Sequence, residues 1–356
     1  MILKNLLLHN FRNYEHTDIS FHPRINAICG GNGEGKTNLL EAIHLLSTGR
    51  SFRTNHLQDL IAKGKNFFYI EATICKDHLD QSLSLYFDGK EKKCSYQKNP
   101  STSFSSLLGL LPSVLHAPDD RDLFSGSPSI RRRFLNLHLA QEDPLYTHHL
   151  SRFYQALKQR NFLLKTKHTK TLSAWEEEMA ISAFYLMEKR KLLLQELDAL
   201  LPSFLQKLSH EETVQLRYLP SFSEEHFSLS AYRELLAKNR IKELSFGATL
   251  IGPHRDDWMI FFQEKTANAF ASEGQKKSFL LSLRLSEWKR LSHKFSEPIL
   301  VTLDDLAIHL DAQRQSLLRP LLSGLFQVFF TSPSPLFAEE AIQATYVVTK
   351  GTIRLL

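Results

Sequence analysis

Apolar positions along this chain change their spacing twice. In the first hundred residues they alternate: Phe68, Ile70, Ala72 and Ile74 are separated by more polar neighbours, as are Leu83, Leu85 and Phe87. Period-two alternation predicts strands with one buried face, and Asp88-Gly89 after the second run predicts a hairpin turn. Residues 113–118 read as one more short strand. From about Ser129 to Leu244 the chain turns rich in Leu, Lys, Glu and Gln. Apolar residues there recur at three- and four-residue steps, as at Leu193, Leu197, Leu200 and Phe204, which predicts helices. Pro202 is expected to end or kink that helix. The pattern is too short and broken for a long coiled coil, so ordinary helix packing is expected.

Mixed signals return from Phe246. Residues 258–262 read as a strand, 278–289 as a helix, 299–303 as a buried strand, 313–322 as a helix and 327–330 as a strand. Residues 346–349 and 352–356 would close a hairpin around Lys350-Gly351. No internal repeat is visible. The simplest layout is one α/β domain made from both chain ends (1–128 and 245–356), with a helical domain inserted between them at 129–244.

Composition narrows the class only slightly. At 356 residues and 42% hydrophobic content, the chain can bury a full core and has room for about two domains. A net charge of +6 favours a polyanionic partner, though many basic enzymes bind only small phosphates. Cys29, Cys75 and Cys94 are too few and too far apart for a zinc site or a disulfide framework, so reduced cytosolic thiols are expected. The opening Met1-Ile2-Leu3-Lys4-Asn5 meets polar residues too early for a signal peptide, and no apolar run reaches membrane-spanning length. A cytoplasmic protein is expected.

One string changes the picture far more. Gly30-Gly31-Asn32-Gly33-Glu34-Gly35-Lys36-Thr37 follows the apolar run Ile25-Asn26-Ala27-Ile28-Cys29 and precedes the helix-like Asn38-Leu39-Leu40-Glu41-Ala42-Ile43. This is the phosphate-binding loop pattern in its strand–loop–helix setting, met by chance in about one chain of this length in a hundred. Glycines let the backbone curl so that its N–H groups converge on a polyphosphate, and the helix start adds the positive end of its dipole. Lys36 would reach the β- and γ-phosphates, and Thr37 would place its hydroxyl on a magnesium ion. A nucleoside triphosphate is the expected ligand.

Two distant segments fit the same chemistry. The buried strand Ile299-Leu300-Val301-Thr302-Leu303 ends in Asp304-Asp305, and carboxylates at such a strand end hold magnesium and orient water. Asp304 would hold the ion and Asp305 would position the attacking water. Without the loop, the same pair would read as a strand end followed by a capped helix. The string Ala271-Ser272-Glu273-Gly274-Gln275-Lys276-Lys277 resembles the signature of ATP-binding-cassette ATPases, in which Ser-x-Gly-Gln opens a helix. Ser272 also reads as a plain N-cap, but a capped helix start is itself an anion site. In cassette ATPases this helix end meets the γ-phosphate held by the opposite subunit. The resemblance therefore implies that Ser272, Gly274 and Gln275 complete a partner's site.

These elements resemble, in order and spacing, the RecF family of bacterial recombinational repair, short relatives of the SMC-type ATPases. The resemblance runs through Asn10-Phe11-Arg12-Asn13-Tyr14, the loop, Gly49-Arg50-Ser51-Phe52-Arg53 and Ser127-Pro128-Ser129-Ile130-Arg131-Arg132-Arg133-Phe134-Leu135. It continues through Gly252-Pro253-His254-Arg255-Asp256-Asp257, the signature and the paired aspartates. It departs at Ile308-His309-Leu310-Asp311, where the family reads Ser-Glu-Leu-Asp; no glutamine matches the magnesium-sensing loop of cassette ATPases. Thr331 or Ser332 falls where a switch residue would sit.

The family implies a cassette-type ATPase head that dimerises on ATP, binds gapped or junction DNA without sequence preference, and hydrolyses slowly. It implies action with RecR and RecO and, through them, RecA. Arg50, Arg53, Arg131, Arg132 and Arg133 are the expected phosphate contacts, with solvated surface charge as the alternative for each, and acidic side chains between domains as a further alternative for some of Arg131, Arg132 and Arg133. Lys276 and Lys277 divide evenly between those readings. His254, Arg255, Asp256 and Asp257 read either as a catalytic cluster or as a hydrogen-bonded corner near the nucleotide, and His116, His138, His148 and His149 lack ligand spacing. Two rivals stand: a clamp that uses ATP without hydrolysing it, motivated by Ile308-His309, and a transporter ATPase subunit, which the long insertion disfavours.

Overall fold

The computed structural model describes residues 1–101, 103–209, 214–222, 228–305, 312–333 and 342–356. The chain forms two compact units. The first comprises Met1–Arg121, Leu201–Glu211 and Ser272–Leu356; the second comprises Asp122–Leu200 and Glu212–Ala271.

The amino-terminal part of the first unit holds β1 (Ile2–Phe11), β2 (Tyr14–Ser20), β3 (Ile25–Cys29) and α1 (Lys36–Thr48). Strands β4 (Phe68–Lys76), β5 (Leu79–Phe87), β6 (Lys92–Tyr96), β7 (Asn99–Ser101) and β8 (Ser113–His116) follow. The second unit contributes α2 (Pro128–Glu142), α3 (Pro144–Thr166), the start of α4 (Leu172–Ser209), β9 (Val214–Leu219), α5 (Leu229–Phe246), β10 (Asp257–Phe262) and β11 (Lys265–Thr266). The chain returns to the first unit with α6 (Glu273–Phe295), β12 (Leu300–Leu303), α7 (Ala312–Gly324), β13 (Val328–Ser332), β14 (Ala344–Thr349) and β15 (Thr352–Leu355).

Two six-stranded sheets build the first unit. One is antiparallel, in the order β2-β1-β4-β5-β6-β7; the other runs β15-β14-β3-β13-β12-β8. In the second sheet every neighbouring pair is parallel except the β14–β15 hairpin. The alternation of Phe68, Ile70, Ala72 and Ile74 packs one face of the antiparallel sheet against Leu39, Ile43 and Leu46 of α1. The unbroken run Val328-Phe329-Phe330 has a different cause. Phe329 joins that same cluster, whereas Val328 and Phe330 join a second one with Phe204, Leu208, Leu281, Leu285 and Leu318. A parallel sheet covered on both faces needs apolar residues at every position. Because β3, β8, β12, β13 and β14 are co-directional, their carboxyl ends share one edge, where ligands of open α/β sheets bind.

The second unit corrects two expectations. It is helical but not purely so, since β9, β10 and β11 form an antiparallel sheet in which Asp257 pairs with Leu219 and Phe262 with Val214. That pairing draws the chain after residue 244 into the second unit, and the return falls at Ser272 rather than at 245. Of the two outcomes expected at Pro202, in the first unit, ending the helix does not occur: α4 continues to Ser209. Among the described residues no helix is long and apolar enough to cross a membrane.

Both units bury charge, and the second does so around arginines. Arg160 is fully buried on α3, where its guanidinium donates to Glu176 at 2.9 Å, Glu243 at 2.6 Å and Thr249 at 2.8 Å. Removing one partner of such a group strands the others in a low dielectric. Arg160→Leu is therefore expected to destabilise the second unit by about 3–5 kcal/mol. Denaturant unfolding followed in parallel with Glu243→Gln, expected to cost less, checks this.

Candidate nucleotide site

The loop between β3 and α1 is built around an ammonium group. Lys36 is buried, and its Nζ donates to the carbonyls of Gly30 at 2.7 Å and Gly31 at 2.8 Å. Among the described residues no carboxylate lies within ion-pair reach of it. The loop is clamped from outside by Asn13, whose Nδ2 donates to the Glu34 carbonyl at 2.7 Å, and by the Tyr14 hydroxyl, which donates to the Gly35 carbonyl at 2.9 Å. The β14–β15 turn joins in: Gly351 N donates to the Glu34 carbonyl at 3.1 Å, and Lys350 N donates to the Glu34 side chain. Two glycines are obligatory here. A Cβ on Gly30 (φ +151°) would stand 2.5 Å from the Val348 carbonyl, and one on Gly351 (φ +76°) 2.0 Å from that of Asn13. Asn32 and Gly33 are exposed, and α1 starts at Gly35 without a side-chain cap. Its first N–H groups are left to a ligand.

The carboxyl edge of the parallel sheet brings Asp304 to this helix. Thr37 Oγ1 donates to Asp304 Oδ1 at 3.0 Å, and Thr331 Oγ1 donates to the same oxygen at 2.7 Å. Thr331 also accepts from Asp305 N at 2.7 Å, and Asp304 N donates to the His116 carbonyl at 2.8 Å. Asp304 is 3% exposed. Burial raises its carboxyl pKa, the two hydroxyls pull it back, and the Asp305 charge adds to the rise. A buried carboxylate beside a threonine hydroxyl, bonded by two neutral hydroxyls and with the Arg53 charge as a lesser opposing influence, is a hard-oxygen set of the kind that suits magnesium. Asp305 adopts φ +52°, a left-handed conformation that aspartate tolerates better than most residues. Thr331, read from sequence as a switch residue, here fixes both aspartates, while Ser332 is buried at the end of β13.

Ser272 is placed differently. It caps α6 through a capping box, with Gln275 N donating to Ser272 Oγ at 3.2 Å and Ser272 N to Gln275 Oε1 at 2.7 Å. The Ser272 carbonyl also accepts from Lys276 N at 2.9 Å, and Ser272 is exposed. The loop and Asp304 therefore meet, while the signature segment stands apart as a pre-shaped, outward helix start. Lys276 pairs with Glu273 at 2.9 Å.

Sequence reasoning passed over Glu41. This fully buried carboxylate on α1 receives Arg12 through two bonds of 2.8 and 2.9 Å and has Arg53 at 3.6 Å. A charged residue inside Leu39-Leu40-Glu41-Ala42 was the available signal. Arg53 also donates to Asn38 at 2.6 Å, and Arg50 is exposed. For Arg131 the acidic-partner alternative holds over phosphate contact. Instead of facing a polyanion it is 5% exposed and forked onto Asp257 at 2.6 and 2.7 Å, with a third bond to the Gly126 carbonyl. Arg132 donates to the Asp256 carbonyl at 2.8 Å, and Arg133 is half-buried.

The Gly252–Asp257 corner is structural. Ser221 N donates to Asp256 at 2.8 Å, the Arg190 guanidinium donates to the Pro253 carbonyl at 2.6 Å, and burial pushes the His254 imidazole down to about 4. Ile308, His309 and Asp311 lie outside the described residues.

A family model described as RecF/RecN/SMC N terminal domain matches residues 2–354. The chain is 41% identical over 344 residues to the DNA replication and repair protein RecF of Protochlamydia amoebophila, covering 95% of this chain and 96% of that one. The chain belongs to the RecF family. A solved RecF–ATP structure, described as the recombination mediator of the RecFOR pathway, superposes with a TM-score of 0.92 at 28% identity, over 100% of this chain and 97% of that one. The Smc head domain of Pyrococcus furiosus, at 16% identity and a TM-score of 0.58 (100% and 96% coverage), shares the fold. The RecF family of DNA replication and repair proteins and its SMC-like ATPase head, both expected from the sequence, are thus established.

The raised carboxyl of Asp304 carries a stability consequence. Its ionised form is disfavoured in the folded state, so this destabilisation is absent below the ordinary carboxylate range and grows as pH rises through the raised value. Without metal, Asp304→Asn is expected to melt at or above the parent temperature at pH 7–8, the gap closing towards pH 4. Magnesium with ATP should raise the melting temperature of the parent more than that of the variant. Scanning fluorimetry across pH, with and without magnesium, checks both.

Proposed function

We propose that this RecF-family protein is an ATP-dependent DNA-binding ATPase of recombinational repair and replication, in which two copies enclose the nucleotide. The reading is carried by one observation: a complete phosphate cradle at Lys36 shares a threonine hydroxyl with a buried Asp304, while the anion-binding helix start at Ser272 faces outward. Each chain then holds ATP with its own Gly30, Gly31, Asn32, Gly33, Glu34, Gly35, Lys36 and Thr37. A second copy supplies Ser272, Gly274 and Gln275 to the γ-phosphate.

On binding, the Lys36 ammonium exchanges two carbonyls for phosphate oxygens, a charge-assisted replacement of neutral bonds. Thr37 and Asp304 would hold magnesium, which supplies neutralisation of the phosphate charge. Asp305, oriented by Thr331, places the attacking water and accepts its proton. The acceptor is a weak base, which fits slow turnover. ATP thus acts first as an adhesive between copies, and its hydrolysis opens them.

DNA is held by charge and shape. With Arg131 committed internally, Arg50 and Arg53 are the leading phosphate contacts and Arg132 and Arg133 lesser ones. DNA stimulation of turnover, a gapped or junction substrate, and cooperation with RecR and RecO to load RecA belong to the same reading, as does a cytoplasmic location. The family membership and the RecF–ATP likeness support it.

Anisotropy of a labelled gapped duplex tests this. With ATP and magnesium the parent should bind, with a log–log salt slope of about −0.9 per neutralised phosphate. Ser272→Arg should keep ATP affinity yet lose DNA binding. ATP-independent DNA binding, or a flat salt response, contradicts the reading.

A further inference from the structure

The signature helix and the metal-holding aspartate are joined by a directional chain of polar contacts. Arg284 lies on α6, twelve positions beyond Ser272, which at about 1.5 Å per residue is about 18 Å along the helix. Its Nε and Nη2 fork onto the two oxygens of Asp120 at 3.0 and 2.5 Å, and its Nη1 donates to Glu287 at 2.6 Å. Asp120 accepts from Ala117 N at 3.3 Å and is bonded to His116 Nδ1 at 2.8 Å. His116 ends β8 beside Leu303 of β12, and its carbonyl accepts the N–H of Asp304 at 2.8 Å. Asp120 is 8% exposed. Burial opposes its charge, yet Arg284 and His116 hold its carboxyl below the usual range.

Other contacts of α6 include one long bond, from Ile299 N to Ser292 Oγ at 3.4 Å, and apolar packing. Leu281 and Leu285 pack on Val301 and Leu303, and apolar packing is non-directional. A small rotation or slide of α6 leaves it almost unchanged. The Arg284–Asp120 fork has no such slack, because a planar bidentate pair in a dry setting fixes both distance and angle. Any displacement imposed at Ser272 reaches Asp120 through a rigid helix, and Asp120 holds the segment that seats Asp304.

We propose that Arg284, Asp120 and His116 are positioning residues that couple the signature end of α6, engaged by the nucleotide of a second copy, to the seating of Asp304 in the chain's own site. This rests on the two-copy reading given above and adds the route by which one site senses the other. Coupling of this type is reciprocal: engagement of Ser272 improves metal binding at Asp304, and metal at Asp304 favours engagement.

The test compares the full-length parent with Arg284→Lys and Asp120→Asn, and with Glu287→Gln as a control that touches the same arginine outside the chain. Three quantities are measured: ATP affinity in EDTA, the magnesium concentration for half-maximal dimer by light scattering with ATP, and the kcat and KM of turnover. Both relay variants should keep metal-free ATP affinity within about twofold, shift the magnesium midpoint upward by about tenfold, and lower kcat at constant KM. Glu287→Gln should move none of these. A parent that dimerises while the relay variants leave the midpoint and kcat in place overturns the relay alone. Loss of metal-free ATP affinity in step with the midpoint also overturns it, since that marks a merely structural role. A parent that stays single under magnesium and ATP overturns the two-copy reading and the relay with it.

Discussion

Everything at the candidate site depends on how the chain accommodates the ammonium of Lys36. Burying it with two backbone carbonyls and, among the described residues, no counter-ion leaves a positive charge that a polyanion compensates well. The surrounding bonds serve to hold the curl open around it. Asn13, Tyr14 and the turn at Lys350-Gly351 grip the outer side of the loop through its own carbonyls, which turns N–H groups inward. Asp304 is a buried carboxylate that accepts from the Thr37 and Thr331 hydroxyls among the described residues.

The sheet explains why residues so far apart in sequence share this site. Five parallel strands end at one edge, so Cys29, His116, Leu303, Ser332 and Thr349 each deliver the next residues to the same place. The second unit has buried ion pairs of its own. Arg160 and Arg131 are committed to Glu176, Glu243 and Asp257, which converts sequence-level basic charge into internal structure. Net charge therefore overstates what this unit offers to a polyanion.

How much could be read beforehand follows from the range of the forces involved. The loop, the aspartate edge, the final hairpin and the doubly buried run at Val328 were legible because local spacing encodes them. Strand β9 was hidden: Val214 and Leu216 alternate with Gln215 and Arg217 inside a Leu- and Lys-rich background that reads as helix. Its pairing with β10 is what moved the boundary from 245 to 272. Pro202 sits inside a helix whose packing at Leu201, Phe204 and Leu205 outweighs the lost backbone bond. The Arg131–Asp257 fork spans 126 positions, and Arg284–Asp120 spans 164; no local pattern announces either. The signature was visible as a string, but its outward orientation was not.

The most direct measurement of the central claim is a high-resolution structure of this protein with magnesium and a slowly hydrolysed ATP analogue. The account predicts Lys36 Nζ withdrawn from the Gly30 and Gly31 carbonyls onto the β- and γ-phosphates, with the metal against Thr37 and Asp304. Lys36 still seated on those carbonyls, with nucleotide bound elsewhere or not at all, would contradict it.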